Sequence, residues 1–494
     1  MELKGLKSGT DVRGTAVAGY GSEVNLGTTE VRAIADAFAA WLRPRVKGKI
    51  VAVGGDSRLS TADIKSVVTD ALTAAGYDVK DCGLCSTPSM FMTTKFPEIG
   101  ACAAVMVTAS HHPAEKNGLK FFLPSGGLEG TQISEIIELA ESGEKLTGKE
   151  KGSVETGDFM RFYCDFLVNK VREATGETEP LKGMKIVVDA GNGAGAFYPK
   201  RVLEPLGADT AGSQFLEPDG NFPNHIPNPE NPQAMESVSA ATVAAKADLG
   251  VIFDTDVDRA AIVAPDGSEI NRNSLIALIS AILLREENGA TIVTDSVTSD
   301  GLRDFITAHG GKHHRFKRGY KNVIDEAVRL NAEGVNAPLA IETSGHAALR
   351  ENYFLDDGAY LVTRIIIEAV RLRKEGKPLL SLIGDLHTAK ESLEIRLSFA
   401  TPDWKNLGAF VIDDMKKTKN RDLVVAPDNH EGVRVSVPKL KGWFLIRMSV
   451  HDPIMPINIE SDLTGGAVEI AKLLYAYLSA FDGLNCANLE KAIK

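Results

Sequence analysis

Cysteine is scarce: 5 in 494 residues, at positions 82, 85, 102, 164 and 486. They are too few and too scattered for a disulfide framework. Cys82-Gly-Leu-Cys85 has no second C-x-x-C with which to build a zinc site. A redox pair needs a helix N-terminus to lower its thiol pKa, and here the pair runs into Ser86-Thr87-Pro88. Both thiols are therefore expected to act as small hydrophobes in a strand-to-loop turn. Basic charge is short too. Lys and Arg number 55 against 66 Asp and Glu, a net charge of −11. That balance argues against nucleic acid or an anionic membrane as main partner, but not against a small anion in a local basic pocket. No apolar run is long enough to span a bilayer, and no signal-peptide core opens the chain. A cytoplasmic location is expected. A nucleotide fingerprint is missing as well. Gly191, Gly193 and Gly195 are spaced G-x-G-x-G, with no P-loop lysine behind them, so a tight strand-to-helix turn is expected there.

What is present suits a multidomain globular protein. Apolar content is 44% and charged content 24%, ordinary values. The length exceeds the roughly 250–300 residues at which single cores stop growing. Residues 101–107 read as a buried strand that ends abruptly in Thr108-Ala-Ser110-His111-His112-Pro113. A serine on a tight loop after a rigid strand is placed to be a nucleophile. The competing reading is an N-cap serine before a helix. A second apolar strand, 249–253, feeds Asp254-Thr-Asp256-Val-Asp258-Arg259. Three carboxylates at alternate positions can converge on one hard cation if the backbone loops. An EF-hand fails, because Arg259 and Pro265 stand where it needs Gly and Glu. A phosphatase with Asp254 as attacking group also fits the strand-end position.

The rest of the chain alternates strands and helices. Helices are expected at 28–42, up to Gly76, from about 158 and at 300–308. Strands are expected at 49–53, 77–81, 119–123, 185–189, 290–294, 312–316 and 338–341. Residues 217–230 hold four prolines, so no regular element forms there; a structural role is expected. Basic residues crowd at His313-His-Arg315-Phe-Lys317-Arg318-Gly-Tyr-Lys321, which alone reads as a solvated patch. The tail carries short strands near 393–397, 423–426, 433–437, 443–447 and 457–460, then an amphipathic helix at 466–478. Polar, glycine-bearing stretches mark boundaries. They divide the chain into α/β domains at 1–155, 156–265 and 266–385 and an α+β domain at 386–494.

The serine loop, followed by Asn117-Gly-Leu-Lys120, resembles the active-site loop of the α-D-phosphohexomutases. Three further loops resemble that family's motifs in the family's order: Asp254-x-Asp256-x-Asp258-Arg259, Glu342-Thr-Ser344-Gly-His346 and Arg447-Met-Ser449-Val-His451-Asp-Pro453. In the last, His451 and Asp452 replace the usual threonine and glutamate. The resemblance spans nearly the whole chain and implies four domains around a central cleft. It implies that Ser110 carries a phosphoryl group and that Mg²⁺ is held by Asp254, Asp256, Asp258 and a phosphoserine oxygen. Arg259, Lys120 and His111 would stabilise charge or move protons. Arg13, in Ser8-Gly-Thr-Asp-Val-Arg13-Gly14, matches the family's opening arginine and would contact phosphate. Glu342, Ser344 and His346 would hold sugar hydroxyls, and Arg447, Ser449 and His451 the non-reacting phosphate, with Arg434 as a helper. The basic residues near Arg318 would steer the anion inward. The implied activity interconverts hexose 1- and 6-phosphates through a sugar bisphosphate, with a phosphosugar as the only partner and a monomer or homodimer as the assembly.

Substrate choice stays open. The lysine frequent in glucose- and mannose-using relatives is missing from Asp295-Ser-Val-Thr-Ser299, and Tyr320 stands where some have histidine. Phosphoglucosamine mutase is an alternative, although Thr343 differs from the glutamine usual there. Two other classes predict different behaviour. A hydrolase using Asp254 releases free phosphate and survives Ser110→Ala. A non-catalytic phosphosugar-binding protein binds without isomerising.

Overall fold

A computed structural model describes residues 2–148, 150–427, 429–449 and 452–494. The chain forms two compact units, residues 1–275 with 344–381, and 276–343 with 382–494. Among the described residues no helix is long and apolar enough to cross a membrane.

The first unit opens on a mixed sheet. Its order is Lys7–Ser8, Asp11–Thr15, Lys116–Leu123, Ala103–Val107, Ile50–Gly55, Asp78–Leu84, Val154–Thr156, with Gly126–Gly127 on Lys116–Leu123. The strands Ile50–Gly55, Asp78–Leu84, Ala103–Val107 and Val154–Thr156 pair in parallel, whereas Lys116–Leu123 runs antiparallel to Ala103–Val107. Parallel central strands are covered on both faces, hence the unbroken apolar run at 103–107. Helix Thr28–Leu42 turns Val31, Ile34, Ala35, Phe38 and Leu42 into the core, the i, i+3, i+4, i+7 stripe of a helix packed on one face. Helices Thr61–Ala74 and Gly130–Ser142 pack into the same cluster.

A second sheet in this unit is ordered Glu269–Ile270, Ala260–Val263, Leu249–Phe253, Ile186–Asp189. Its two central strands are entirely buried. The short antiparallel pair Ala347–Leu349 and Leu355–Asp356 and helix Gly358–Lys374 also belong to the unit, as do helices Thr87–Met92, Met160–Thr175 and Pro232–Ala245. The reactive segments, Thr108–Ser110 and Asp254–Asp258, both follow the carboxyl ends of buried strands, where open α/β sheets offer loops to ligands.

In the second unit Lys312–Phe316, Thr291–Asp295 and Leu339–Ile341 pair in parallel, with helices Asp300–Ala308 and Tyr320–Ala332 between them in sequence. The tail forms a six-stranded sheet, Val424–Val425, Val433–Val437, Gly442–Ile446, Ile454–Ser461, Glu391–Phe399, Leu484–Asn485. All its pairs are antiparallel. Helices Trp404–Lys416 and Gly466–Leu478 supply its core with Val411, Met415, Ile470 and Leu474. The expected succession of α/β elements and a terminal α+β sheet is what the chain forms.

Candidate active site

Chain leaving Ala103–Val107 turns through Ser110 and re-enters the sheet as Lys116–Leu123. No helix follows, so Ser110 caps nothing. Its φ is 52°, a left-handed conformation uncommon for a residue with a β-carbon. The Ser110 N–H donates to Thr108 Oγ1 at 2.9 Å and its Oγ to Asp254 Oδ2 at 3.1 Å. His111 Nδ1 lies 3.3 Å from the same Oγ. Burial, then the Arg259 charge, pulls the His111 pKa down to about 2, so the imidazole is neutral. The charge of Arg13 also bears on His111 and His112, while Asp11 Oδ2 holds the Arg13 guanidinium at 2.7 Å.

Strand Leu249–Phe253 delivers Asp254 to this point, and the loop beyond it folds back through Val257 at φ 66°. That reversal lets alternate residues converge. Asp254, Asp256 and Asp258 are buried, with oxygens within 4.8 Å of one another. Lys120 Nζ reaches Asp256 Oδ2 at 3.0 Å and Asp258 Oδ2 at 2.7 Å, and Arg259 Nε reaches Asp254 Oδ2 at 3.2 Å. Asp256 Oδ1 and Asp258 Oδ1, both buried, have no hydrogen-bond partner among the described residues. Burial lifts the Asp254 carboxyl well above its usual range, reinforced by Asp258 and Asp256. Burial pushes Asp258 the same way, yet Lys120, His346 and Arg259 together hold it well below. An all-oxygen cluster with two unpartnered buried oxygens and mutual repulsion fits a hard divalent cation such as Mg²⁺.

His346 joins this cluster. Its Nδ1 is 2.5 Å from Asp356 Oδ2 and 3.9 Å from Asp258 Oδ1. Burial works against its charge, but the Asp356 and Asp258 carboxylates outweigh it and raise its pKa to about 9. Gly345 makes the approach possible: at φ 95°, its missing Cβ would sit 2.8 Å from the Ala260 carbonyl. Ser344 is buried beside it in sequence. The glycine turn 191–195 has a similar use. A Cβ on Gly193 would lie 2.7 Å from the Thr255 carbonyl, and the Ala194 N–H donates to that carbonyl at 2.8 Å. The turn therefore braces the acidic loop.

In the second unit, Glu342 Oε1 accepts the Gly319 N–H at 2.6 Å, and Thr343 Oγ1 donates to Asp295 Oδ2 at 2.8 Å. Arg447 follows strand Gly442–Ile446, its Nη1 3.9 Å from Glu431 Oε1; burial lowers its pKa. The Arg318 N–H donates to Glu431 Oε2 at 3.1 Å. The Arg318-Gly319 turn thus joins the supports of Glu342 and Arg447. Ser449 Oγ accepts the Asp452 N–H at 3.2 Å. His451 lies outside the described residues.

Comparison with known proteins bears on this geometry. The phosphoglucomutase/phosphomannomutase models for α/β/α domains I, II and III match residues 8–147, 161–267 and 271–389. The phosphomannomutase/phosphoglucomutase of Pseudomonas aeruginosa is 30% identical over 437 residues, 87% of this chain and 88% of that one. The phosphoglucomutase of Neisseria gonorrhoeae is 29% identical over 422 residues, 85% of this chain and 86% of that one. The crystal structure of a phosphoglucomutase/phosphomannomutase family protein from Burkholderia thailandensis superposes with a TM-score of 0.80 at 28% identity, covering 97% and 98% of the two chains. The chain belongs to the α-D-phosphohexomutase family. It is an isomerase, a hexose-phosphate mutase.

Three sequence expectations for this phosphohexomutase need correction. The Lys120 strand starts at Lys116, so Lys120 is a buried mid-strand residue rather than sitting near the strand's start. The basic cluster is an open patch only in part: Lys317 is exposed, whereas residues 313–315 are engaged. His313 Nε2 meets Thr294 Oγ1 at 2.7 Å, His314 Nε2 meets Glu326 at 2.8 Å, and Arg315 donates to the Ser299 carbonyl and Asp300 at 2.7 and 2.9 Å. Arg434, expected as a helper to the phosphate loop, is already engaged. It pairs with Asp300 at 3.0 Å and stacks on Trp443 at 3.4 Å. The proline-rich loop also does more than expected, since Asn228 Oδ1 accepts from Arg259 Nη1 at 3.1 Å and Glu230 lies 3.6 Å away. Cys82 and Cys85 are buried and unbridged, as expected of small hydrophobes, but the premise of that reading fails: helix Thr87–Met92 starts directly after the pair with Ser86 as its N-cap, and burial is what pushes both thiols up. Three residues touching the site escaped the sequence reading in that role: Arg58, Thr87 and Asp356. Thr87 donates to Asp256 Oδ2 at 2.5 Å, and its N–H to the Asp256 carbonyl at 2.8 Å. The only signal for Arg58 was a charged Asp56-Ser-Arg58 among glycines.

Proposed function

We propose that this enzyme interconverts hexose 1-phosphate and hexose 6-phosphate, of glucose, mannose or both, through phosphorylated Ser110 and a bisphosphorylated sugar. The observation that carries the reading is Ser110 Oγ at 3.1 Å from Asp254, within a buried cluster of three carboxylates compensated by Lys120 and Arg259. Phosphoryl transfer needs alignment and charge neutralisation more than covalent help. Bound at Asp254, Asp256 and Asp258, Mg²⁺ supplies positive charge that offsets the charge of the moving group.

In the forward half, the bond from phosphorus to Ser110 Oγ breaks as a sugar hydroxyl oxygen bonds to phosphorus. The hydroxyl gives up its proton and Ser110 Oγ regains one. His111, neutral and 3.3 Å from Oγ, is placed to pass that proton. Lys120, Arg259 and His346, the last held by Asp356, place positive charge at the cluster. The second half returns the other phosphate to Ser110. Arg13 and Arg447 serve as phosphate contacts, since a guanidinium grips phosphate with two donors. Glu342, Ser344 and His346 serve the sugar hydroxyls, and Ser449 and His451 the non-reacting phosphate. The division at about residues 155, 265 and 385 is part of this reading, and the three matched domain segments support it.

A coupled assay on glucose, mannose and glucosamine phosphates, with mass spectrometry on Ser110, tests the proposal. Ser110→Ala is expected to reduce turnover to background, and the wild type to carry phosphate on Ser110. Wild-type rates in Ser110→Ala, with inorganic phosphate released, would favour the Asp254 hydrolase instead. Preference for glucosamine phosphate would change the substrate and leave the mechanism intact.

A further inference from the structure

The loop carrying Ser110 is gripped from one buried turn on the neighbouring strand. Asp56-Ser-Arg58 follows Ile50–Gly55, and the Asp56 N–H donates to the Val107 carbonyl at 3.1 Å. The Arg58 guanidinium donates to four backbone carbonyls of the serine loop: Ser110, His112 at 2.5 Å, Pro113 at 2.7 Å and Lys116 at 2.9 Å. Asp56 Oδ2 lies 3.4 Å from Arg58 Nε and accepts the Thr108 hydroxyl at 2.6 Å, and Thr108 Oγ1 in turn accepts the Ser110 N–H at 2.9 Å. Both ends of the Ser110 residue, N–H and C=O, are thus tied to the same turn. Asp56 and Arg58 are 4% and 3% exposed, so water offers little competition for these bonds.

A helix-capping turn does not need this arrangement. Nothing in capping calls for a buried cation aimed at four carbonyls of another loop. The carbonyls converge because residues 110–116 curl around the guanidinium, and that curl holds Ser110 at φ 52°. Left-handed backbone at a serine costs free energy unless its surroundings over-determine it. In that conformation Oγ faces Asp254.

We infer that Arg58 is a positioning residue for phosphoryl transfer: with Asp56 and Thr108 it fixes the backbone of Ser110 so that Oγ stays aligned with the acidic cluster. This rests on the reading of Ser110 as the phosphoryl carrier. Lysine keeps the charge but lacks the planar fork that reaches four acceptors.

The experiment measures phosphorylation of Ser110 by a sugar bisphosphate in Arg58→Lys, Arg58→Ala and Thr108→Val, using mass spectrometry of quenched samples. KM and the thermal midpoint are followed in parallel. Both Arg58 variants are expected to phosphorylate roughly 10–100-fold more slowly, the cost of about 1 Å of misplacement, with KM unchanged. Millimolar guanidinium should restore part of the rate to Arg58→Ala. Thr108→Val, nearly isosteric, should slow the same step by cutting the tie to the Ser110 N–H. A folded Arg58→Lys that phosphorylates at the wild-type rate overturns the inference. Should neither Arg58 variant fold, Thr108→Val decides alone, a slow rate supporting the inference and a wild-type rate overturning it. A wild-type enzyme that takes no phosphate on Ser110 refutes the mutase reading instead, so the two failures are distinct.

Discussion

Lys120→Met removes the ammonium that lies 3.0 Å from Asp256 and 2.7 Å from Asp258. Each contact is worth about 6 kcal/mol of gross attraction at an effective dielectric constant near 20, offset by the cost of desolvating the ions. Breaking a buried pair by deleting one partner costs about 3–5 kcal/mol, because the remaining charge stays buried and uncompensated. Methionine fills similar volume, so a packing defect adds little. In chelator, the first urea transition of Lys120→Met should therefore fall well below that of the wild type. Magnesium should then stabilise the variant more than the wild type, since three carboxylates without the ammonium bind a cation more strongly. At a hundredfold excess over its dissociation constant, a bound ion contributes about 2.7 kcal/mol. Paired urea titrations with EDTA and with Mg²⁺ measure both effects. Equal midpoints of variant and wild type in EDTA, or equal magnesium shifts in both, would refute the claim that Lys120 neutralises this cluster.

Four further outcomes follow from particular contacts. Thr87→Val removes the hydroxyl that donates to Asp256 at 2.5 Å; apparent Mg²⁺ affinity should drop roughly tenfold or more, read from the magnesium dependence of the rate. Arg447→Gln should raise KM for phosphosugar by roughly 10–100-fold with a smaller change in kcat, because a grip on the non-reacting phosphate acts in ground and transition states alike. Arg434→Met breaks the pair with Asp300 and the stack on Trp443; it should cost about 2–4 kcal/mol of stability and leave kcat unchanged. Burial lifts Cys82 to about 12 and Cys85 well above the ordinary thiol range. Neither should react with a disulfide reagent at pH 8 until urea unfolds the first unit, and fast labelling in the native state would contradict the burial argument.

How far the sequence was readable depends on which physics each residue answers to. Strands 249–253 and 433–437 and helices 28–42, 300–308 and 466–478 were legible to the residue, because burial imposes a period that local composition displays. Ser110 and the three aspartates were legible for a related reason: a buried apolar strand that ends in polar side chains must present them somewhere. Arg58 and Thr87 were not. Arg58 follows a strand and precedes a helix, where a charged residue is ordinarily solvated, and its four acceptors are main-chain carbonyls that no side-chain pattern announces. Thr87 is 169 residues from the aspartate it holds. The Lys120 correction has the same origin. A lysine in an apolar strand reads as an end residue because a buried ammonium is costly, and only Asp256 and Asp258, more than a hundred residues on, make its burial affordable. Arg434 and Arg315 show the converse case. Arg434 was expected to help hold phosphate and the cluster around Arg315 to steer it, yet Asp300, Ser299 and Trp443 already engage both side chains. The residues proposed to act on the substrate could thus be found one loop at a time, whereas the residues that hold them in register became visible only when distant segments met.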